Sequence, residues 1–124
     1  MRKIIVTEFI TLDGVIEAPG GDETPHLHAG WQSKYKSPEG GKYNMDELAS
    51  VDGLLLGKNT FEAFASYWPS QKGDGFADPI NKMPKYVVPT SLQKTDWHNS
   101  HILRDVDRDV AALKQSSGGD ILVY

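Results

Sequence analysis

The sequence predicts an α/β protein organised on a mostly parallel sheet. Short aliphatic or β-branched runs alternate with stretches of helical period, and glycine or proline marks most of the junctions. One of the runs is continuously apolar, as an interior strand covered on both faces would be. Strands alternating with helices of about ten residues favour right-handed crossovers and parallel pairing.

The order of elements follows from local pattern. Residues 3–10, Lys-Ile-Ile-Val-Thr-Glu-Phe-Ile, read as a first strand. Residues 12–41 hold six of the twelve glycines and three of the seven prolines without a sustained period, which predicts a long, functional or mobile connection. A weak helical signal covers Leu27 to Tyr35. Met45, Leu48, Ala49 and Asp52 fall at i, i+3, i+4 and i+7, so residues 42–51 are predicted as a helix that Gly53 terminates. Leu54-Leu55-Leu56 is the continuous run, bounded by Gly57. Phe61, Phe64, Ala65 and Trp68 repeat the helical spacing and Pro69 closes it, while Asn59 with Glu62 has the form of a capping box. Residues 70–84 read as a polar loop. Strands are predicted at 85–89 and 101–104, a helix at 105–114 with acids at its start, and a last strand at 120–124 after Gly118-Gly119.

Composition bounds the function classes. A chain of 124 residues with 39% apolar and 24% charged residues is one domain with a real core, residues 1–124. Thirteen Lys and Arg against seventeen Asp and Glu argue against a nucleic-acid-coating protein. The absence of cysteine excludes disulfide scaffolds, thiol nucleophiles and iron–sulfur clusters. The apolar start breaks at Thr7-Glu8, too early for a secretory signal, and no run is long enough to cross a bilayer. A cytoplasmic protein without membrane or nucleic-acid partners is the expectation.

Ligands of open α/β sheets bind beyond the carboxyl ends of the strands. Three such ends carry suitable residues: Thr11-Leu12-Asp13-Gly14-Val15-Ile16, Gly57-Lys58-Asn59-Thr60 and Pro89-Thr90-Ser91. The second has the best physical case. A glycine lets backbone approach closely, a helix start offers free N–H groups to an anion, and Lys58 and Thr60 add a charge and a hydroxyl. The plainer reading is a turn followed by a solvated lysine.

The series Thr-Leu-Asp-Gly-Val-Ile, Leu-Leu-Leu-Gly-Lys-Asn-Thr-Phe-Glu, Tyr-Trp-Pro, Lys-Tyr-Val-Val-Pro-Thr-Ser-Leu with Trp97-His98-Asn99, and Gly-Gly-Asp-Ile-Leu-Val-Tyr runs from Lys3 to Tyr124. In this order it resembles the dihydrofolate reductase superfamily, in particular the group related to the C-terminal reductase domain of bifunctional riboflavin-biosynthesis enzymes. The resemblance implies a dihydrofolate-reductase-like three-layer fold, NADPH as cofactor, a small heteroaromatic or carbonyl substrate, and a homodimer. It implies that Gly57, Lys58, Asn59 and Thr60 hold the pyrophosphate, with Lys58 at the 2′-phosphate. It likewise places Pro89, Thr90 and Ser91 at the adenosine side, and Leu12, Asp13, Gly14 and Val15 beside the nicotinamide. Tyr124 ends the last strand at the cofactor. A glycine-bearing loop follows that strand in the family, so the chain is expected to be shorter than the natural protein.

Other residues remain open between two roles. Asp13 is either a general acid or a turn former. Trp31 and Tyr43 are candidates for the substrate pocket, and Trp68 is expected in the core. Folate-reducing members carry an acid on the first turn of the helix before the Leu-Leu-Leu-Gly strand; Gly41-Lys42-Tyr43-Asn44 has none, which disfavours classical folate reduction. His26 and His28, with His98 and His101, could ligate a metal, but a Pro- and Gly-rich loop fixes no geometry and no metal site is assigned. The rival functions are a nucleotide-binding or sensor protein without turnover, and a phosphate-handling enzyme. The second is disfavoured by the lack of a P-loop.

Overall fold

The computed structural model describes residues 1–21, 27–73, 75–88 and 94–124. Five strands form one all-parallel sheet in the order β1-β5-β2-β3-β4. They are β1 (Ile4–Val6), β2 (Val51–Gly57), β3 (Lys85–Val88), β4 (Ser100–Ile102) and β5 (Asp120–Val123). The helices are α1 (Pro38–Ser50), α2 (Lys58–Tyr67), α3 (Ala77–Lys82) and α4 (Val106–Gln115), with 3₁₀ turns at Trp31–Tyr35 and Trp68–Ser70. The Leu54–Leu56 run is central, as its continuous apolar character predicts, with Leu54 and Leu56 fully buried.

Leu54 and Leu56 of β2, Val87 of β3 and Leu122 of β5 point to one face of the sheet and meet Leu48, Phe61 and Ile80 from α1, α2 and α3. Between β4 and β5 the chain crosses the sheet in the opposite direction. A right-handed crossover therefore places α4 on the other face, where Leu113 and Ile121 are buried. At the amino edge Arg2 pins this frame. Its guanidinium bonds Asp52 and donates to the Gly119 carbonyl at 2.5 Å, while Gly119 N–H donates to Asp52 at 2.6 Å. The β2–β5 register shifts between Val51 and Gly53, beside that pair.

Four local readings need correction. α1 starts at Pro38, not at 42, because the Ser37 hydroxyl accepts from Gly40 N–H at 3.0 Å and proline suits the first helical position; these outweigh Gly40-Gly41. Gly53 ends no helix. It lies within β2, where a Cβ would come within 3.1 Å of the Tyr86 ring. The 70–84 loop contains α3, too short to show a period; its buried Ala77 and Ile80 anchor it, and Lys85 Nζ donates to the carbonyls of Ile80 (3.1 Å) and Asn81 (2.9 Å). β1 is Ile4–Val6, not 3–10: it pairs with β5 from Ile121 to Val123, and one further bond runs from Thr7 N–H to Val123 O at 3.1 Å.

Candidate functional site

All five strands point their carboxyl ends the same way, so Thr7, Gly57, Val88 and Tyr124 share one edge of the sheet. There a cleft of about 350 Å³ is lined by Gly57, Lys58, Asn59, Thr60 and Val88. β2 feeds α2 with no intervening loop, and Gly57 is the N-cap. Its backbone is extended (φ −69°, ψ 161°), and a Cβ there would meet nothing within 4 Å, so the fold itself does not demand glycine. Among the described residues no side chain caps α2, and its first turn holds no acid. The first-turn N–H groups of a helix have no intrahelical partner, and here they open on the cleft that Gly57 to Thr60 line. The Asn59–Glu62 capping box is absent. The helix begins one residue before Asn59, and Glu62 instead approaches Lys58, with Oε1 3.9 Å from Nζ.

The start of α2 carries the positive end of the helix dipole, uncapped backbone donors and a lysine in the first position. That concentration of positive potential suits a phosphate or pyrophosphate. The polar groups and the space present therefore fit the anionic part of a dinucleotide.

The segment after β1 takes a different form. Thr11 to Gly14 is a tight turn, with Gly14 at φ 89° and its N–H donating to Thr11 O at 2.9 Å. The Thr11 hydroxyl donates to Asp13 at 2.5 Å and accepts from Val15 N–H at 2.8 Å. The Thr11 hydroxyl bond, with Asp13's own backbone N–H, holds this exposed carboxyl below its usual range. A carboxyl favoured in its ionised form is a poor proton donor at neutral pH, so of the two roles open for Asp13 the structure supports the turn former. Leu12, Asp13, Gly14 and Val15 do not line the α2 cleft.

Trp31 is tied into its own loop: its indole N–H donates to Glu17 O at 3.0 Å, and Gly30 N–H donates to Ala18 O. Tyr43 is exposed on α1. Neither lines the α2 cleft. Trp68 packs against the core beside Phe64, with ring centroids 6.0 Å apart. Pro89, Thr90, Ser91 and His26 lie outside the described residues. His101 stacks on Tyr86, and among the described residues no group of three or more His, Asp or Glu could hold a metal. Nor is any described helix long and apolar enough to cross a membrane.

Tyr124 sits where β5 ends, its ring 5.7 Å from that of Phe64. Burial, with the charge of Glu47 adding to it, pushes its phenol up to about 12, so the hydroxyl keeps its proton at neutral pH. Glu47 is the residue that sequence reasoning missed. Thr7 Oγ1 donates to Glu47 Oε1 at 2.7 Å, and Oε2 is buried with no hydrogen-bond partner among the described residues. The earlier start of α1 puts Glu47 in the third turn, and helical side chains lean toward the N-terminus, which carries its carboxylate up to the end of β1. The signal available was its place beside buried Leu48, at the border of the helix's buried stripe.

A larger cleft of about 720 Å³ runs past Phe61, Ala65, Asn81 and Trp97. It lies by the start of β3, away from the carboxyl edge, and the polar groups of its wall satisfy each other. Trp97 Nε1 donates to Asn81 Oδ1 at 3.1 Å and Asn81 donates to Trp68 O at 2.8 Å, while Lys85 Nζ lies 4.3 Å from the Trp97 ring centroid. We assign the α2 cleft, not this one, as the candidate site.

Residues 2–123 match the RibD C-terminal domain across nearly the whole chain. The chain belongs to the RibD C-terminal domain family. A curated relative, "Uncharacterized protein YyaP" of Bacillus subtilis (strain 168), is 27% identical over 127 residues. That alignment covers 99% of this chain but 62% of the relative, so the chain spans less than two-thirds of YyaP's length. The five-stranded parallel sheet flanked by helices agrees with the dihydrofolate-reductase-like fold of the RibD C-terminal domain family. The family is a reductase-like domain that typically binds a nicotinamide cofactor.

Proposed function

We propose that this RibD C-terminal domain is an NADPH-dependent reductase acting on a small heteroaromatic or carbonyl substrate, of the kind represented by the riboflavin-pathway pyrimidine or dihydrofolate. The observation that carries the reading is the start of α2, which holds no acid and has no cap from a described side chain, with Lys58 at its head inside a cleft at the carboxyl edge of the sheet. The N–H groups of the first turn and the Thr60 hydroxyl hold the pyrophosphate, and Lys58 faces the 2′-phosphate. When bound, the cofactor supplies a hydride from its reduced nicotinamide. The Thr11–Gly14 turn borders the nicotinamide, and Glu47, held by Thr7 at the end of β1, is the acid at that end of the sheet.

A second reading is a nucleotide-binding protein without turnover. The exposure of Leu12 and Tyr43 favours it, because neither closes a pocket in which a substrate could be shielded from water. Titration with NADPH and NADH tests the first reading, followed by a screen of pterins, pyrimidines and carbonyl compounds for NADPH oxidation. Tight NADPH binding and oxidation by one acceptor class is the expected result. Thr60→Val should weaken both dinucleotides. Unchanged affinity in that variant would place the pyrophosphate elsewhere, and binding with no acceptor oxidised would support the second reading.

A further inference from the structure

The lysine at the head of α2 is electrostatically misplaced. A cation in the first helical position adds to the positive end of the dipole, an arrangement that disfavours the helix. The Lys-then-Glu order at i, i+4 is also the weaker of the two orientations of such a pair. Yet Glu62 Oε1 stands 3.9 Å from Lys58 Nζ, with Glu62 half-exposed and Lys58 more sheltered. Among the described acids it is the one whose ion pair with Lys58 is seen, and Lys58 lines the cleft while Glu62 does not.

From this arrangement, and resting on the reading of the cleft as a dinucleotide site, we infer that Glu62 is an internal counter-ion that competes with the ligand's phosphate for Lys58. Glu62 is thus a positioning residue for cofactor choice. With the cleft empty it draws the ammonium sideways along the helix. With a 2′-phosphate present, Lys58 must leave Glu62, and the gain from the phosphate is reduced by the contact given up. A dinucleotide without that phosphate leaves the pair undisturbed. Glu62 therefore lowers affinity for NADPH selectively and narrows the preference over NADH.

The test is a titration of the full chain with NADPH and with NADH, comparing wild type, Glu62→Gln, Lys58→Gln and the double variant at low and high salt. Exposed helical pairs of this spacing are weak, so Glu62→Gln should tighten NADPH about one-and-a-half- to twofold and leave NADH nearly unchanged. That gain should shrink at high salt, and in the Lys58→Gln background it should fall to the NADH level. A weaker or unchanged NADPH affinity in Glu62→Gln would overturn the inference, as would a gain that persists without Lys58. A merely structural Glu62 would shift both dinucleotides together. If wild type binds neither dinucleotide, the proposed function fails, and adenosine 2′-phosphate, which carries the group assigned to Lys58, then serves as the probe. A tighter complex with it in Glu62→Gln, lost in the Lys58→Gln background, would still support the competition, and equal affinities would end it.

Discussion

α2 and α4 are of equal length, ten residues each, and both follow directly on a strand or a short turn, yet they begin in opposite ways. At α4, Asp105 caps the helix by accepting from Arg108 N–H at 3.1 Å, and Asp107 and Asp109 fill the first turn. Asp109 also reaches back to accept from Arg104 N–H at 2.9 Å and Asp105 N–H at 3.1 Å. At α2 a glycine stands in the cap position, no acid is present in the first turn, and a lysine leads. One start is capped by its own side chains. The other has no cap from a described side chain, and it opens on the carboxyl edge of the sheet where ligands of α/β proteins bind.

The largest effect that would break this contrast comes from Lys58→Glu. Losing a charge-assisted phosphate contact and adding repulsion should weaken NADPH about tenfold or more, and NADH much less, in a fluorescence titration. The same change puts an acid at the positive end of α2 but sets it against Glu62 four residues on, so the two effects offset and thermal stability should change by less than about 0.5 kcal/mol. Equal losses for the two dinucleotides would remove Lys58 from the 2′-phosphate. At the other helix, Asp105→Ala should cost about 1 kcal/mol in denaturant unfolding and leave dinucleotide affinity untouched.

A subtler variant sharpens the comparison by making α2 resemble α4. Gly57→Ser has room for its side chain and an extended backbone that suits a cap. It should add a few tenths of a kcal/mol to stability while weakening both dinucleotides about threefold, because the new hydroxyl satisfies a donor that the ligand would use. The smallest effect is one of pH. Backbone N–H groups of Asp105 and Arg104, with the Arg108 guanidinium, hold the Asp109 carboxyl below its usual range. A carboxyl lowered in the fold stabilises it above the ordinary carboxylate range, and that contribution is lost as pH falls through the lowered value. Asp109→Asn should therefore flatten the acid side of the stability profile at α4.

Much of the frame could be read from local pattern. Leu54–Leu56 and the Phe61, Phe64, Ala65, Trp68 stripe carry strong, uninterrupted periods, and they form the central strand and the helix that places the site. α3 could not be read, because six residues give no period and Lys85, distant in pattern though near in sequence, supplies its C-terminal partner. The start of α1 was obscured by Gly40-Gly41, and with it the reach of Glu47 to Thr7, a contact made across forty residues. Asp13 shows the converse limit. Its sequence neighbours allow an acid or a turn, and the geometry of Thr11 was needed to decide.

Backbone amide shifts on adding NADPH, measured by NMR on the full chain, test the central claim most directly. The account predicts that the amides of Lys58, Asn59 and Thr60 move on binding while those of Val106, Asp107 and Arg108 stay in place. Unmoved amides at the head of α2, or shifts at the capped head of α4 instead, would contradict it.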